Sequence, residues 1–266
     1  MLDEPYRYLE AVSNRRDYVE DQLRQGSPVV SLQYDDGILL LTVGRGQRKI
    51  YEIHNHIALA AIGHAADIER LRLLATDAAS VQGFQSSVDD VTLHRLTNFL
   101  LAPTVKREFE AVFSSPIIAK MLLVELNGVH CESQFISLNY DGTTQVDQKA
   151  GVLAGNEEIE SVMRTHLSVP SQNISLQAAF ELALETWAVG RHHSLQDNDN
   201  SNRNDEDDGD EDVIEKQQLL RIVQEAREQG EIEIGILDVS RRSKSKFRLL
   251  STTETDAMVE YAREEL

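Results

Sequence analysis

Strand-like and helix-like segments come in blocks along this chain, and the order of the blocks restricts the fold more than any single motif does. A helix over 5–24, with Pro5 in its first turn and Leu9, Val12, Tyr18 and Leu23 as an irregular apolar stripe, stops at Gly26. Four strand runs follow: Val29–Tyr34, Ile38–Val43, Lys49–Ile53 and Ile57–Ile62, the first two joined by the turn Asp35-Asp36-Gly37. Gly63 opens a helix to about Gln82, with Ile68, Leu71, Ala75 and Ala78 on one face. A second helix begins near Asp89 with Leu93, Leu96 and Leu100 inward, and Pro103 is expected to stop or kink it.

Strands return at Lys120–Leu126 and Gln134–Tyr140, then as a weaker pair at Thr144–Gln148 and Val152–Leu153. Helices near 156–167, with Asn156 as N-cap and acids in the first turn, and 175–190 come next. A helix over Ile214–Glu228, strands Ile232–Val239 and Lys246–Leu250, and a helix Thr253–Glu264 complete the chain. Blocks of this kind predict antiparallel sheets covered by helices, an α+β fold, and exclude alternating βαβ units. Two sheets between two helix layers would bury all of them.

Charge and length narrow the function classes. With 266 residues the chain can bury a sizeable core in one domain. No apolar run approaches the ~18 residues that a membrane span needs. The start, MLDEPYRYLEAVSNRRDYVEDQ, has no apolar signal region. Cys131 is the only cysteine, which excludes an intrachain disulfide framework and leads us to expect a cytoplasmic protein. The net charge of −19 argues against nucleic acid as a partner. Much of it is local: nine acids lie between Asp197 and Asp212 against Arg203 alone. We read 195–213 as a disordered acidic insert, a solvated spacer or an interaction tail.

Five stretches carry a resemblance. They are the helix before Gly26-Ser27, the Asp36-Gly37 turn, RKIYEIHNHIALAAIGHAADIERL (48–71), VLAGNEEIESVM (152–163) and IEIGILDVSRRSKSKFRLL (232–250). Together they resemble the proteasome core-particle subunit family, in its α type, and most of all the actinobacterial kind. The resemblance implies a single domain over 1–266, a four-layer αββα sandwich of the N-terminal nucleophile hydrolase type. In that superfamily a glycine followed by a hydroxyl residue at a strand start presents the nucleophile.

Ser27 is that position here. Catalytic β subunits of the family need a threonine made N-terminal, so that its own amine activates the hydroxyl. They also need an aspartate, where this chain has Val43, and a lysine, where it has Lys49. An internal serine has no α-amine, and the segment before it reads as a folded helix. The resemblance therefore implies a non-catalytic subunit without cofactor or metal. The alternative is a self-contained hydrolase or proteasome-like peptidase with its own active site.

The resemblance further implies a homo-heptameric ring that stacks on β subunits, admits unfolded protein substrates and docks a ring-shaped ATPase of the AAA type. The N-terminal gate segment and helix occupy 1–25. Gate residues would be Met1, Leu2, Asp3, Glu4, Pro5, Tyr6, Arg7 and Tyr8, with Pro5-Tyr6-Arg7-Tyr8 a loose echo of the archaeal and eukaryotic gating signature. An activator's C-terminal carboxylate would meet Lys49, with Gly26 and His64 lining the pocket; alternation along the strand turns the Lys49 side chain outward. His54 and His56 form a two-residue pair that is short of a metal site, and Arg191-His192-His193 reads as a polar helix end. Cys131, with no adjacent base, reads as an unreactive thiol.

Overall fold

The computed structural model describes residues 4–44, 46–111, 113–126, 133–167, 174–200 and 216–265. Two five-stranded antiparallel sheets stack face to face. The first has the order β10-β9-β2-β1-β8 and the second β3-β4-β5-β6-β7. Its strands are β1 (Val29–Tyr34), β2 (Gly37–Gly44), β8 (Ala150–Leu153), β9 (Glu231–Asp238) and β10 (Phe247–Leu249). The second sheet is built from β3 (Ile50–His54), β4 (Ile57–Gly63), β5 (Ala119–Glu125), β6 (Gln134–Leu138) and β7 (Thr144–Gln148). Thr144–Gln148 and Ala150–Leu153 are therefore not a pair. They lie in different sheets, because Lys149 between them takes a left-handed backbone (φ 67°) and the chain crosses the sandwich there.

Alternation along the strands decides which side chains meet. Ile38 and Leu40 of β2, Ala58 and Ala60 of β4, Leu122 and Val124 of β5 and Phe135 of β6 point between the sheets and are fully buried. The opposite faces turn to helices. Leu39 and Leu41 pack under α5 (Glu157–His166), α6 (Leu176–Asn200), α7 (Lys216–Gln229) and α8 (Thr252–Glu265), where Trp187 and Phe180 are the largest buried rings. Leu59, Ala61, Met121 and Leu123 face α2 (Ala65–Gln85), α3 (Leu93–Leu96) and α4 (Ala102–Glu110). The expected αββα sandwich is what the chain forms.

Pro103 neither stops nor ends its helix. A π turn at Thr97–Leu101 widens the coil just ahead of it, and Pro103 then sits in the first turn of α4, where a missing N–H costs little. The extra residue of that turn also moves the inward position from Leu100 to Leu101. On α2 the same kind of one-residue drift buries Ala79, where Ala78 was expected.

Helix α1 (Glu4–Leu23) lies across one end of the sandwich as part of the fold. Val19 and Leu23 enter the inter-sheet core, while Leu9 and Tyr18 of the expected stripe stay exposed. The Arg15 guanidinium donates to the carbonyls of Ser114 (2.6 Å) and Glu108 (2.8 Å), and the Tyr140 hydroxyl donates to the Glu20 carboxylate. Met1, Leu2, Asp3 and Cys131 fall outside the described residues. Of the stretch 195–213, residues up to Asn200 continue α6, and the rest lies outside the described residues.

One buried ion pair fastens the layers. Lys120 of β5 donates to Glu160 of α5 at 2.5 Å and to the Ala154 carbonyl at 3.1 Å, and Glu160 accepts the Ala154 amide at 3.1 Å. Both side chains are nearly excluded from water; Glu160 also has Arg164 at 3.8 Å, but Lys120 left without Glu160 would be an uncompensated charge. Glu160→Ala should therefore cost about 3–5 kcal/mol of unfolding free energy, measured as the urea midpoint and slope of the purified chain. A loss under about 1 kcal/mol, the size of a surface pair, would contradict the buried assignment.

Candidate functional site

The chain leaves α1 through a tight exit. The Gly26 amide donates to the Leu23 carbonyl at 2.8 Å, and a Cβ on Gly26 would stand 2.9 Å from that same oxygen. Ser27 follows, in the loop that feeds β1. Its hydroxyl oxygen accepts the indole N–H of Trp187 at 3.2 Å. Val43 is buried at the end of β2, so no carboxylate occupies that place. The Ser27 nitrogen is an ordinary peptide nitrogen.

Beside Ser27 lies a cleft of about 500 Å³, walled by the end of α1, by Val43, by Gly63 and by α6 and α7. Gly26 and Lys49 both line it. Gly63, in a positive-φ conformation (128°), comes so close to β5 that a Cβ would lie 2.2 Å from the Ile118 carbonyl; only glycine fits. His64 stands one residue beyond. It is the exposed N-cap position of α2, makes no side-chain cap, and is not among the lining residues. The structure thus brings two of the three expected docking residues onto one cleft and leaves the third at its margin.

Lys49 is held by its backbone. Its amide donates to one carboxylate oxygen of Glu233 at 2.8 Å, and the Ile50 amide donates to the other at 3.0 Å. Glu233 stands on the face of β9 that looks toward the second sheet, so this carboxylate clamps the start of β3 onto the first sheet. Burial raises the Glu233 pKa, against the pull of those two amides. The Lys49 ammonium, by contrast, has no hydrogen-bond or ion-pair partner among the described residues. Burial drives its pKa down from an ordinary 10.5 to about 8; Glu233 opposes the fall and Arg191 adds to it. The side chain is turned into the cleft and away from the open solvent that strand alternation had suggested.

The histidines do not form a metal site. Burial, and then His56, lower the pKa of His54; burial, and then Lys246, lower that of His56. The His192 and His193 rings meet edge-on at 5.6 Å, and no group of metal-binding side chains occurs among the described residues. Arg191 and these histidines sit well inside α6 and not at a helix end.

Three residues of the site were not legible beforehand. Glu233 reads in EIEIGILD as one of the outward polar positions of a half-exposed strand, and only the stacking of the sheets turns that face inward. Trp187 read as core alone. Arg191 gains its place because α6 runs a further ten residues past the expected end at 190.

An αββα sandwich with a hydroxyl residue at this strand entry defines the N-terminal nucleophile hydrolase class. Within it, a model of the proteasome subunit family matches residues 23–200. The chain is 30% identical over 178 residues to a protein named proteasome subunit alpha from Thermomonospora curvata, covering 66% of this chain and 75% of the relative. It is 29% identical over 181 residues to the proteasome subunit alpha of Streptomyces scabiei (66% and 71%), and 29% over 185 residues to that of Streptosporangium roseum (68% and 70%). The chain belongs to the proteasome subunit family, in its α type. That membership implies assembly with β subunits into the rings of a core particle. No described helix is long and apolar enough to cross a membrane.

The Lys49 shift has a stability consequence with a definite sign. Between about pH 8 and pH 10.5 the unfolded chain still holds the Lys49 proton while the folded chain has released it. The unfolded state then binds more protons, so folding stability rises with pH across this window. Lys49→Met should remove that contribution, so that the stability gap between variant and parent narrows from pH 8 to pH 10.5. Parallel stability curves by chemical denaturation would show that the ammonium is not desolvated.

Proposed function

We propose that this subunit is the non-catalytic outer-ring component of a cytoplasmic proteasome, gating entry and docking an ATPase activator. The observation that carries the reading is the Lys49 ammonium: a cation drawn largely out of water, lining an open cleft, with its one neighbouring carboxylate already bonded to backbone amides. A charge so placed is destabilising by itself and favourable once an anion arrives. A peptide's terminal carboxylate is such an anion, and Gly26 lines the same cleft. His64, at the margin, would meet the approaching tail.

The rest of the reading concerns assembly. Seven copies would form a ring on the β subunits, with catalysis on a β-subunit threonine and unfolded proteins as substrates. Exposed Tyr8, Leu9 and Tyr18 on α1 and Phe84 on α2 are apolar groups that a ring would cover. The segment Met1–Tyr8 would narrow the pore, standing on a helix that Arg15 and Glu20 fix to the body.

Lys49→Ala separates docking from everything else. Losing one charge-assisted bond costs on the order of 1.5–3 kcal/mol, roughly tenfold to a hundredfold per tail, and several tails on one ring compound it. Ring assembly should be unchanged. Small-peptide hydrolysis by a particle that also lacks residues 1–8 should stay high, while ATPase-stimulated protein degradation collapses. Degradation at the parent rate would make Lys49 a spectator and overturn the docking reading.

A further inference from the structure

The cleft behind Ser27 carries a second cation. Arg191 projects from α6 into the same lining as Lys49, and Glu225 of α7 is the one carboxylate among the described lining residues. Lys49 and Arg191 face Glu225 in the lining, and the Glu233 carboxylate behind Lys49 is bonded to two backbone amides, in a chain whose net charge is −19. A pair of cations in so acidic a chain is a selective place for an anion. Apolar side chains flank the charges: Trp187 and Leu195 stand one turn either side of Arg191 on α6, and Ile222 and Ala226 line the cleft from α7. The cleft thus sets its cations among apolar side chains.

We propose that Arg191 is a second carboxylate-binding residue of this cleft, sharing with Lys49 the C-terminal carboxylate of a peptide whose last side chain is apolar and seats between α6 and α7. The proposal rests on the docking reading of Lys49 and assigns it a partner and a ligand class. Geometry supports the division of roles. Lys49 is fixed through its amide by Glu233, so its ammonium reaches the cleft from the β3 side, while Arg191 reaches it from the helix layer. A carboxylate has two oxygens, and a guanidinium with five N–H donors keeps some for a ligand whatever it bonds within the chain. The apolar side chains account for why a peptide end, and not a bare inorganic anion, fits the whole recess.

The charges around Lys49 also set how binding varies with pH. Glu233 from β9 raises its pKa and Arg191 from α6 lowers it; Glu225 from α7 shares the cleft, α1 and the loop after it contribute the neutral Gln22 and Gln25, and His64 stands outside. Carboxylate binding needs the charged ammonium, so affinity falls as pH rises through about 8 in the parent chain. Removing Arg191 removes a like charge, and the fall moves to higher pH.

The test is fluorescence-polarisation binding of the full chain to a labelled short peptide ending in leucine, as free acid and as C-terminal amide, with native mass spectrometry confirming unchanged assembly. Arg191→Gln should weaken the free acid on the order of tenfold, leave the weak amide binding as it was, and shift the pH midpoint upward. Arg191→Lys should keep the parent midpoint and recover part of the affinity. If Arg191→Gln leaves free-acid binding intact while Lys49→Ala abolishes it, the Arg191 assignment is wrong and the docking reading stands. Equal loss of acid and amide binding would make Arg191 a wall residue and likewise overturn it. If neither substitution changes free-acid binding, the docking reading itself fails.

Discussion

The Glu233 carboxylate sits largely out of water on β9 and bonds to two backbone amides, those of Lys49 and Ile50, across the gap between the sheets. Buried carboxylates need such partners, and here the partners are the first two amides of the β3 approach. The bond fixes where β3 begins and so where β4 and Gly63 follow. It also commits the nearest negative charge to the backbone. A lysine beside a free carboxylate would form a closed ion pair. A lysine beside a carboxylate already engaged presents an ammonium with no hydrogen-bond or ion-pair partner among the described residues.

The same geometry bears on the loss of hydrolase chemistry. Nucleophilic attack by a hydroxyl needs an adjacent base, which the resemblance assigns to a free terminal amine aided by an aspartate. Here the chain reaches that point from α1, which is tied down by Arg15 and by the Tyr140–Glu20 bond. Ser27 takes a hydrogen bond from Trp187, and Val43 contributes a methyl-lined wall. The lysine alone is retained. In the proposed function, that desolvated cation binds and does not activate a nucleophile.

Much of the fold was legible because both periodicities are clean in the sequence. Ile38–Val43 alternates into two cores, and Leu176, Phe180, Leu184 and Trp187 recur at helical spacing. What failed were features that depend on a neighbour. The π turn before Pro103 shifts the inward position by one residue, which helical periodicity does not announce. The separation of β7 from β8 is one residue with positive φ, Lys149, in a stretch that reads as a hairpin. Glu233 could not be assigned to a face, because alternation gives two faces without saying which one meets the other sheet. Within the site, Gly26 and Lys49 were named through a family resemblance, whereas Arg191 required knowing that α6 continues.

The central claim is that the strand-entry serine is no longer processed or used, and that the cleft beside it receives a ligand's charge. Intact-mass measurement of the chain after assembly with a β subunit tests this most directly. The account predicts the full-length mass, short at most of the initiator Met1, with α1 retained. A species lacking residues 1–26, with Ser27 as its free N-terminus, would contradict it.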